Sequence, residues 1–135
     1  MKLRIVSSRE EIDVLNPREK MVHLAFRASN VDFLNLMKRC PGLRAVQVLP
    51  SYLRTMSAAI RGFLEMQGIE LLAGDVWGHR KDIDEYFVVP DAAVDLIKSM
   101  DRTGVPAQQI ASEVQKDARI GEDLVKFVAR TEAAA

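Results

Sequence analysis

Residues 74–86 bring together the side chains of this chain that are best suited to chemistry. They include the only tryptophan, Trp77, and one of the two histidines, His79. A histidine with neighbouring carboxylates is typical of general acid and base catalysis, because imidazole gains and loses a proton near neutral pH. His79 is therefore the candidate proton-transfer residue, and Asp75 and Asp82 are the candidate carboxylates that orient it.

Other reactive centres have weaker support in the sequence. The histidine and carboxylates of residues 74–86 match neither a standard zinc spacing nor an EF-hand loop, so no metal site is predicted. The chain contains no Gly-x-Gly-x-x-Gly and no Walker-type Gly-Lys-Ser/Thr, and it indicates no particular cofactor. Ser7 or Ser51 could form a hydrolase site with His79, but a Gly-x-Ser-x-Gly elbow is missing.

A second group of candidates follows the ends of the predicted strands, where serine and arginine recur. In an open α/β sheet, ligands bind beyond the carboxyl ends of the strands, where helix N-termini offer N–H groups to anions. Serine hydroxyls and arginine guanidinium groups suit phosphate or carboxylate. The candidate ligand-binding residues, completed by two from residues 74–86, are Ser7, Arg9, Arg27, Ser29, Ser51, Arg54, Trp77 and Arg80. The same serines are what helix N-caps need, so a purely structural role is the alternative.

Four short apolar segments predict the strands that must position these residues. They cover residues 3–6, 21–26, 45–49 and 69–72, and the gaps between them leave room for helices. Alternating strands and helices favour a mostly parallel sheet with crossover helices. His23 lies within the second segment and is predicted to be a hydrogen-bonded histidine of the sheet rather than a base. The fold class is therefore α/β, with a small, mostly parallel sheet of about four strands.

Two of the gaps carry clear helix signals. In residues 29–40, Ser29 is a candidate N-cap, the apolar residues have helical spacing, and Pro41 follows the pattern. In residues 51–67, Ser51 is the candidate N-cap of one continuous helix that ends near Gly68. The first gap, residues 9–20, has only a short helical pattern.

After Pro90 only helical periodicity remains. Three short helices are predicted, separated by residues 103–106 and 117–121. The chain is thus divided into an α/β core of residues 1–90 and a helical segment of residues 91–135. The last two helices are similar to a helix-turn-helix, but residues 91–135 contain eight acidic and six basic residues, which disfavours DNA. A packing or dimerisation element is the alternative.

Composition restricts the class of protein. With 135 residues, of which 48% are apolar, the chain can bury one real core. Its 19 basic and 19 acidic residues cancel, so no global field attracts nucleic acid or an anionic membrane. The single cysteine excludes an internal disulfide, and no signal-peptide pattern or membrane-length apolar run occurs. These features predict a cytoplasmic protein without membrane contact, and they leave a homo-oligomer open.

Three segments resemble DUF1699, an archaeal family of unknown function that is typical of methanogens. They are KLRIVSSREE at residues 2–11, VHLAFR at residues 22–27 and GDVWGHRKDI at residues 74–83. The resemblance extends over nearly the whole chain. It implies an archaeal source, but it brings no activity, substrate or cofactor.

The residues favour a binding or regulatory protein whose ligand carries phosphate or carboxylate. That ligand is a small molecule or the backbone of a nucleic acid. One alternative is an enzyme that uses His79 with an aspartate as general acid and base. Another is a DNA-binding regulator that acts through the helical segment.

Overall fold

The computed structural model describes residues 1–76, 85–114 and 120–131, and it contains a five-stranded sheet of order β4-β3-β2-β1-β5. The strands are β1 (Lys2–Val6), β2 (Met21–Leu24), β3 (Ala45–Val48), β4 (Glu70–Ala73) and β5 (Tyr86–Val88). Strands β1 to β4 run parallel to their neighbours, as the sequence predicted, while β5 runs antiparallel to β1. The predicted α/β class is confirmed, with one strand more than the four expected.

The connections between the parallel strands form one layer on one face of the sheet. A 3-10 helix (Arg9–Val14) joins β1 to β2, helix α1 (Asn30–Arg39) joins β2 to β3, and helices α2 (Pro50–Arg54) and α3 (Ala58–Met66) join β3 to β4. Each connection moves one strand sideways in the same direction. Right-handed crossovers that all move the same way place their helices on the same face.

The opposite face is covered by three helices of the tail, which confirms the predicted helical segment. They are α4 (Asp91–Arg102), α5 (Ala107–Val114) and α6 (Glu122–Arg130). Ile97 and Leu124 pack in one buried cluster with Leu3 and Ile5 of β1, so the tail and the sheet share a core. Among the described residues, no helix has the length and apolarity needed to cross a membrane.

Successive side chains of a strand point to opposite faces, and each face receives its own cluster. In β2, Val22 and Leu24 join the cluster under α1 and α3, whereas Met21 joins the cluster under the tail. All four residues of β2 are buried. Burial on both faces explains why these strands are near-continuous apolar runs in the sequence.

The prediction of one helix capped by Ser51 is wrong. Pro50 already occupies the first position of α2, because a proline suits a helix position where no backbone donor is required. A second helix begins after Ser57, whose hydroxyl accepts a hydrogen bond from the Ile60 N–H at 3.1 Å. The Thr55 hydroxyl donates to the Tyr52 carbonyl, a local bond that competes with continued helix.

Candidate functional site

A cavity of about 280 Å³ lies beyond the carboxyl ends of β2 and β3, and we call it the carboxyl-edge cavity. Its wall comes from the loop before α1 and from the segment that joins α2 to α3. The described residues that line it are Phe26, Arg27, Ala28, Ser29, Asn30, Phe33, Val48, Tyr52, Thr55, Met56 and Ser57. The cavity therefore combines aromatic and aliphatic surface with hydroxyl groups, one amide and one guanidinium.

Two helices begin at this cavity, and a serine caps each of them. The Ser29 hydroxyl accepts from the Asp32 N–H at 3.2 Å at the start of α1, as the sequence predicted. The Ser57 hydroxyl does the same for α3 and also donates to Asn30 Oδ1 at 3.2 Å, which joins the two helix starts. The first N–H groups of a helix have no acceptor within the helix, and the helix dipole is positive there. The cavity thus lies where two such ends favour an anion.

Arg27 supplies the charge of the carboxyl-edge cavity. Its guanidinium lies over the Tyr52 ring, 4.7 Å from the ring centroid, and donates a hydrogen bond to the Thr55 hydroxyl. Stacking and hydrogen bonding restrict the side chain without neutralising it. Among the described lining residues, Arg27 is the one ionised group, so a net positive charge faces the cavity.

A buried carboxylate close to the cavity is already compensated. Asp32 is only 6% exposed, and its Oδ2 accepts the Ser29 N–H at 2.8 Å. Arg9 lies 3.4 Å from the same carboxylate and 6.0 Å from the centroid of the Phe26 ring. Arg9 therefore supports the loop of Phe26 and Ser29 from behind rather than lining the cavity.

The other predicted residues of strand ends lie elsewhere. The Ser7 N–H and hydroxyl both donate to Glu11 Oε2, at 2.5 and 2.9 Å, and this carboxylate holds the start of the 3-10 helix. Ser51 and Arg54 are exposed on α2 and do not line the carboxyl-edge cavity. Of the six strand-end candidates, the structure thus brings Arg27 and Ser29 to one cavity, with Arg9 behind them.

The predicted catalytic group falls mostly outside the described residues. Trp77, His79, Arg80 and Asp82 lie there, so their placement is not part of the described structure. Asp75 is described, and its Oδ1 lies 3.6 Å from Nε2 of His23.

His23 belongs to a buried polar cluster on the tail face of the sheet. It is fully buried, and its Nδ1 shares a hydrogen bond with Nε2 of Gln47 at 3.0 Å, which confirms a hydrogen-bonded histidine of the sheet. The other ring nitrogen, Nε2, faces Asp75. A β-carbon at Gly74 would lie 2.7 Å from Oε1 of Gln47, so any larger residue there would displace the buried Gln47 amide.

The sequence pointed to His23 but not to Gln47. The register of β2 and β3 places the two residues directly opposite each other. Gln47 is 1% exposed inside an apolar strand, and a lone polar residue in such a run was the available signal. Ser57 was missed for a different reason, because the break between α2 and α3 was not predicted.

A third polar group lies near the β5 edge of the sheet, where β5 pairs with β1. The Tyr86 hydroxyl donates to Oε2 of Glu19 at 2.8 Å, and Nε of Arg4 lies 3.9 Å from the same oxygen. Burial, followed by the hydrogen bond to Glu19, raises the pKa of Tyr86 above its ordinary value. Because Glu19 is only 9% exposed, its carboxylate depends on these two protein groups, the Tyr86 hydroxyl and the Arg4 guanidinium, in place of water.

Comparison with known proteins identifies a family but no activity. Residues 2–85 match the model of the N-terminal domain of DUF1699, a family of unknown function. No curated protein and no solved structure matched the chain. The matched range contains the carboxyl-edge cavity and ends just before β5 and the tail helices.

Proposed function

We propose that this chain, which belongs to the DUF1699 family, is a binding protein for a small ligand that carries a phosphate or carboxylate group. The ligand occupies the carboxyl-edge cavity, and its anionic group lies against Arg27. The observation that supports this proposal most strongly is the position of Arg27 where α1 and α3 both begin.

The chemistry of the cavity wall suits an anion with an apolar portion. The Arg27 guanidinium offers a fork of donors, and the hydroxyls of Ser29 and Ser57 lie at the two helix starts. Phe26 and Tyr52 provide aromatic surface for the remainder of the ligand. A cavity of about 280 Å³ is at the small end of ligand pockets, which favours a metabolite over a polymer.

The tail helices support a structural role better than a DNA-binding one. Four of the nine residues of α6 are buried. At its start, Asp123 accepts the Ala73 N–H of the edge strand β4 at 2.8 Å, and at its end Arg130 pairs with Glu70 at 2.5 Å. The exposed face of α6 carries Glu122, Lys126 and Arg130, and both cations are paired, Lys126 with Glu122 and Arg130 with Glu70. This face therefore offers little unpaired positive charge to a phosphate backbone.

The proposal is tested by calorimetric titration of the purified chain with inorganic phosphate, a phosphomonoester panel and a carboxylate panel. Arg27→Gln removes the charge and keeps much of the side-chain volume. We expect it to weaken binding about tenfold or more, because hydrogen bonds to charged groups contribute about 1.5–3 kcal/mol.

Arg54→Gln is the matched control, since Arg54 is an exposed arginine of α2 that does not line the cavity. It should leave affinity unchanged. Equal losses in both variants would point to a diffuse charge effect and contradict the proposed site. Full affinity in a folded Arg27→Gln protein would contradict it as well.

A further inference from the structure

A second cavity, of about 680 Å³, lies at the opposite edge of the sheet, where the parallel strands begin. We call it the starting-edge cavity, and its wall includes Arg18, Lys20, Arg44, Asp91, Asp95 and Phe127. It lies between the starts of β1 to β3 on one side and α4 with the end of α6 on the other. It shares no lining residue with the carboxyl-edge cavity.

The sheet side of this cavity is cationic. Arg18 and Lys20 precede β2, and Arg44 precedes β3. The Arg44 N–H donates to the Lys20 carbonyl at 2.7 Å, so these two residues are held side by side. Within the described part of the chain, none of the three cations forms an ion pair. Their charges are therefore not neutralised by described carboxylates, and the Lys20 ammonium lies beside Gly42 at the margin of the cavity.

The helix side of the cavity is acidic. Asp91 and Asp95 are four residues apart on α4, so they lie on the same face of that helix. Neither forms an ion pair with a described residue, although cations line the same cavity. Lys98 continues the stripe but donates to the Thr131 carbonyl, so its charge serves the end of α6.

The floor between these two sides is apolar. Met21 and Phe127 line it, and both are 6% exposed. Glu19 also belongs to the wall, but its carboxylate is bound to Tyr86 and lies near Arg4. A ligand thus meets cations from the sheet, acids from α4 and an apolar surface between them.

We propose that the starting-edge cavity binds a short zwitterionic peptide. Its carboxylate lies against Arg18, Lys20 and Arg44, and its ammonium group lies against Asp91 and Asp95. An extended tripeptide separates its terminal charges by about 10 Å, whereas the charges of a free amino acid are adjacent. Among the described residues, no cation of the sheet side lies within ion-pair distance of an acid of the helix side, so both sides are open to a ligand that carries a charge at each end. The cavity volume lies within the usual range for small-ligand sites.

The test is a titration of the full chain with trialanine and with three blocked forms of it: N-acetylated, C-amidated and blocked at both ends. Trialanine should bind, and each single block should weaken binding about tenfold or more, because each removes a charged partner. Arg44→Gln should reduce the effect of C-amidation but not that of N-acetylation, and Asp95→Asn should do the reverse, because each variant removes one of the charges on its own side of the cavity. Such non-additivity assigns each peptide end to one side of the cavity.

Asp101→Asn is the control for Asp95→Asn, because Asp101 is an exposed acid of the same helix outside the cavity. Arg27→Gln tests whether trialanine binds in the carboxyl-edge cavity instead. Both should bind trialanine like the unmodified chain. The proposal is overturned if trialanine does not bind at millimolar concentration, or if the doubly blocked peptide binds equally well. It is also overturned if Asp101→Asn acts like Asp95→Asn.

Discussion

The described lining of the carboxyl-edge cavity carries one cation among hydroxyls, whereas that of the starting-edge cavity carries cations and acids from different elements. Chain direction explains the difference. Helices α1 and α3 follow parallel strands and begin at the carboxyl edge, where serines cap them. Strand β5 is antiparallel, so it ends at the starting edge and α4 begins there, with Asp91 in its first turn. One reversed strand therefore brings acids to an edge that otherwise carries cations.

The largest expected effect comes from removing the aromatic floor of either cavity. Phe33 and Phe127 are 2% and 6% exposed, and each belongs to a different core cluster. Phe33→Ala and Phe127→Ala should each lower the free energy of unfolding by about 3–5 kcal/mol. Urea denaturation followed by circular dichroism measures this.

Phe63→Ala is the control, since Phe63 is 40% exposed on α3 and should lose much less stability. If Phe127→Ala were as mild as Phe63→Ala, the tail would not share a core with the sheet. Phe127 would then not form the floor of the starting-edge cavity.

A smaller loss is expected at Gly74, next to the His23 cluster. The added β-carbon of Gly74→Ala would lie 2.7 Å from Oε1 and 3.0 Å from Cδ of Gln47. Overpacking of this kind costs about 1–3 kcal/mol of unfolding free energy. The loss should shrink in a Gln47→Ala background, because the clashing amide is gone.

Gly62→Ala is the matched control, because Gly62 lies in α3 and its new β-carbon meets nothing within 4 Å. It should stabilise the chain by about 0.5–1 kcal/mol, since alanine favours helix over glycine. An identical loss for Gly74→Ala with and without Gln47 would rule out the clash as its cause.

The serine caps at the carboxyl edge contribute a smaller share of the stability. Ser29→Ala and Ser57→Ala should each lower the free energy of unfolding by about 1 kcal/mol, because each leaves a first-turn N–H group without its acceptor. Ser51→Ala should change it by less than about 0.5 kcal/mol, because Ser51 is exposed and caps no helix. Thermal unfolding of the three variants ranks their stabilities. A larger loss of stability for Ser51→Ala than for the other two would support one continuous helix capped by Ser51.

The smallest expected effect is the pH dependence contributed by Tyr86. Burial and the bond to Glu19 raise its pKa in the folded chain, so folding favours the protonated phenol. The stabilisation is complete below the unfolded tyrosine pKa of about 10, and it is lost as pH rises through the higher folded value. Unfolding free energies should therefore fall less steeply above pH 10 in Tyr86→Phe than in the unmodified chain. Parallel slopes in the two proteins would contradict this linkage.

Much of the carboxyl edge could be predicted because its signals are local. The apolar segments predicted the positions of β1 to β4. Ser29, which precedes a helical pattern, predicted the start of α1. Arg27 could be predicted because it follows a strand end directly. The starting edge depends on β5, a strand of three residues next to a charged segment, which is too short to show a period. Its cavity could not be predicted, because Arg44 and Asp95 are far apart in the chain.

Residue order alone was enough to establish the α/β alternation, the membership of residues 2–85 in DUF1699 and the serine that caps α1. These depend on residue order within a few turns or strands. The folded chain was needed to establish that His23 lies opposite Gln47, that Ser57 joins Ser29 at one cavity, and that α4 faces the strand starts. Each is a contact between segments that are distant in the chain. Strand register and the direction of β5 fix these contacts, and the local sequence pattern specifies neither the register nor the direction.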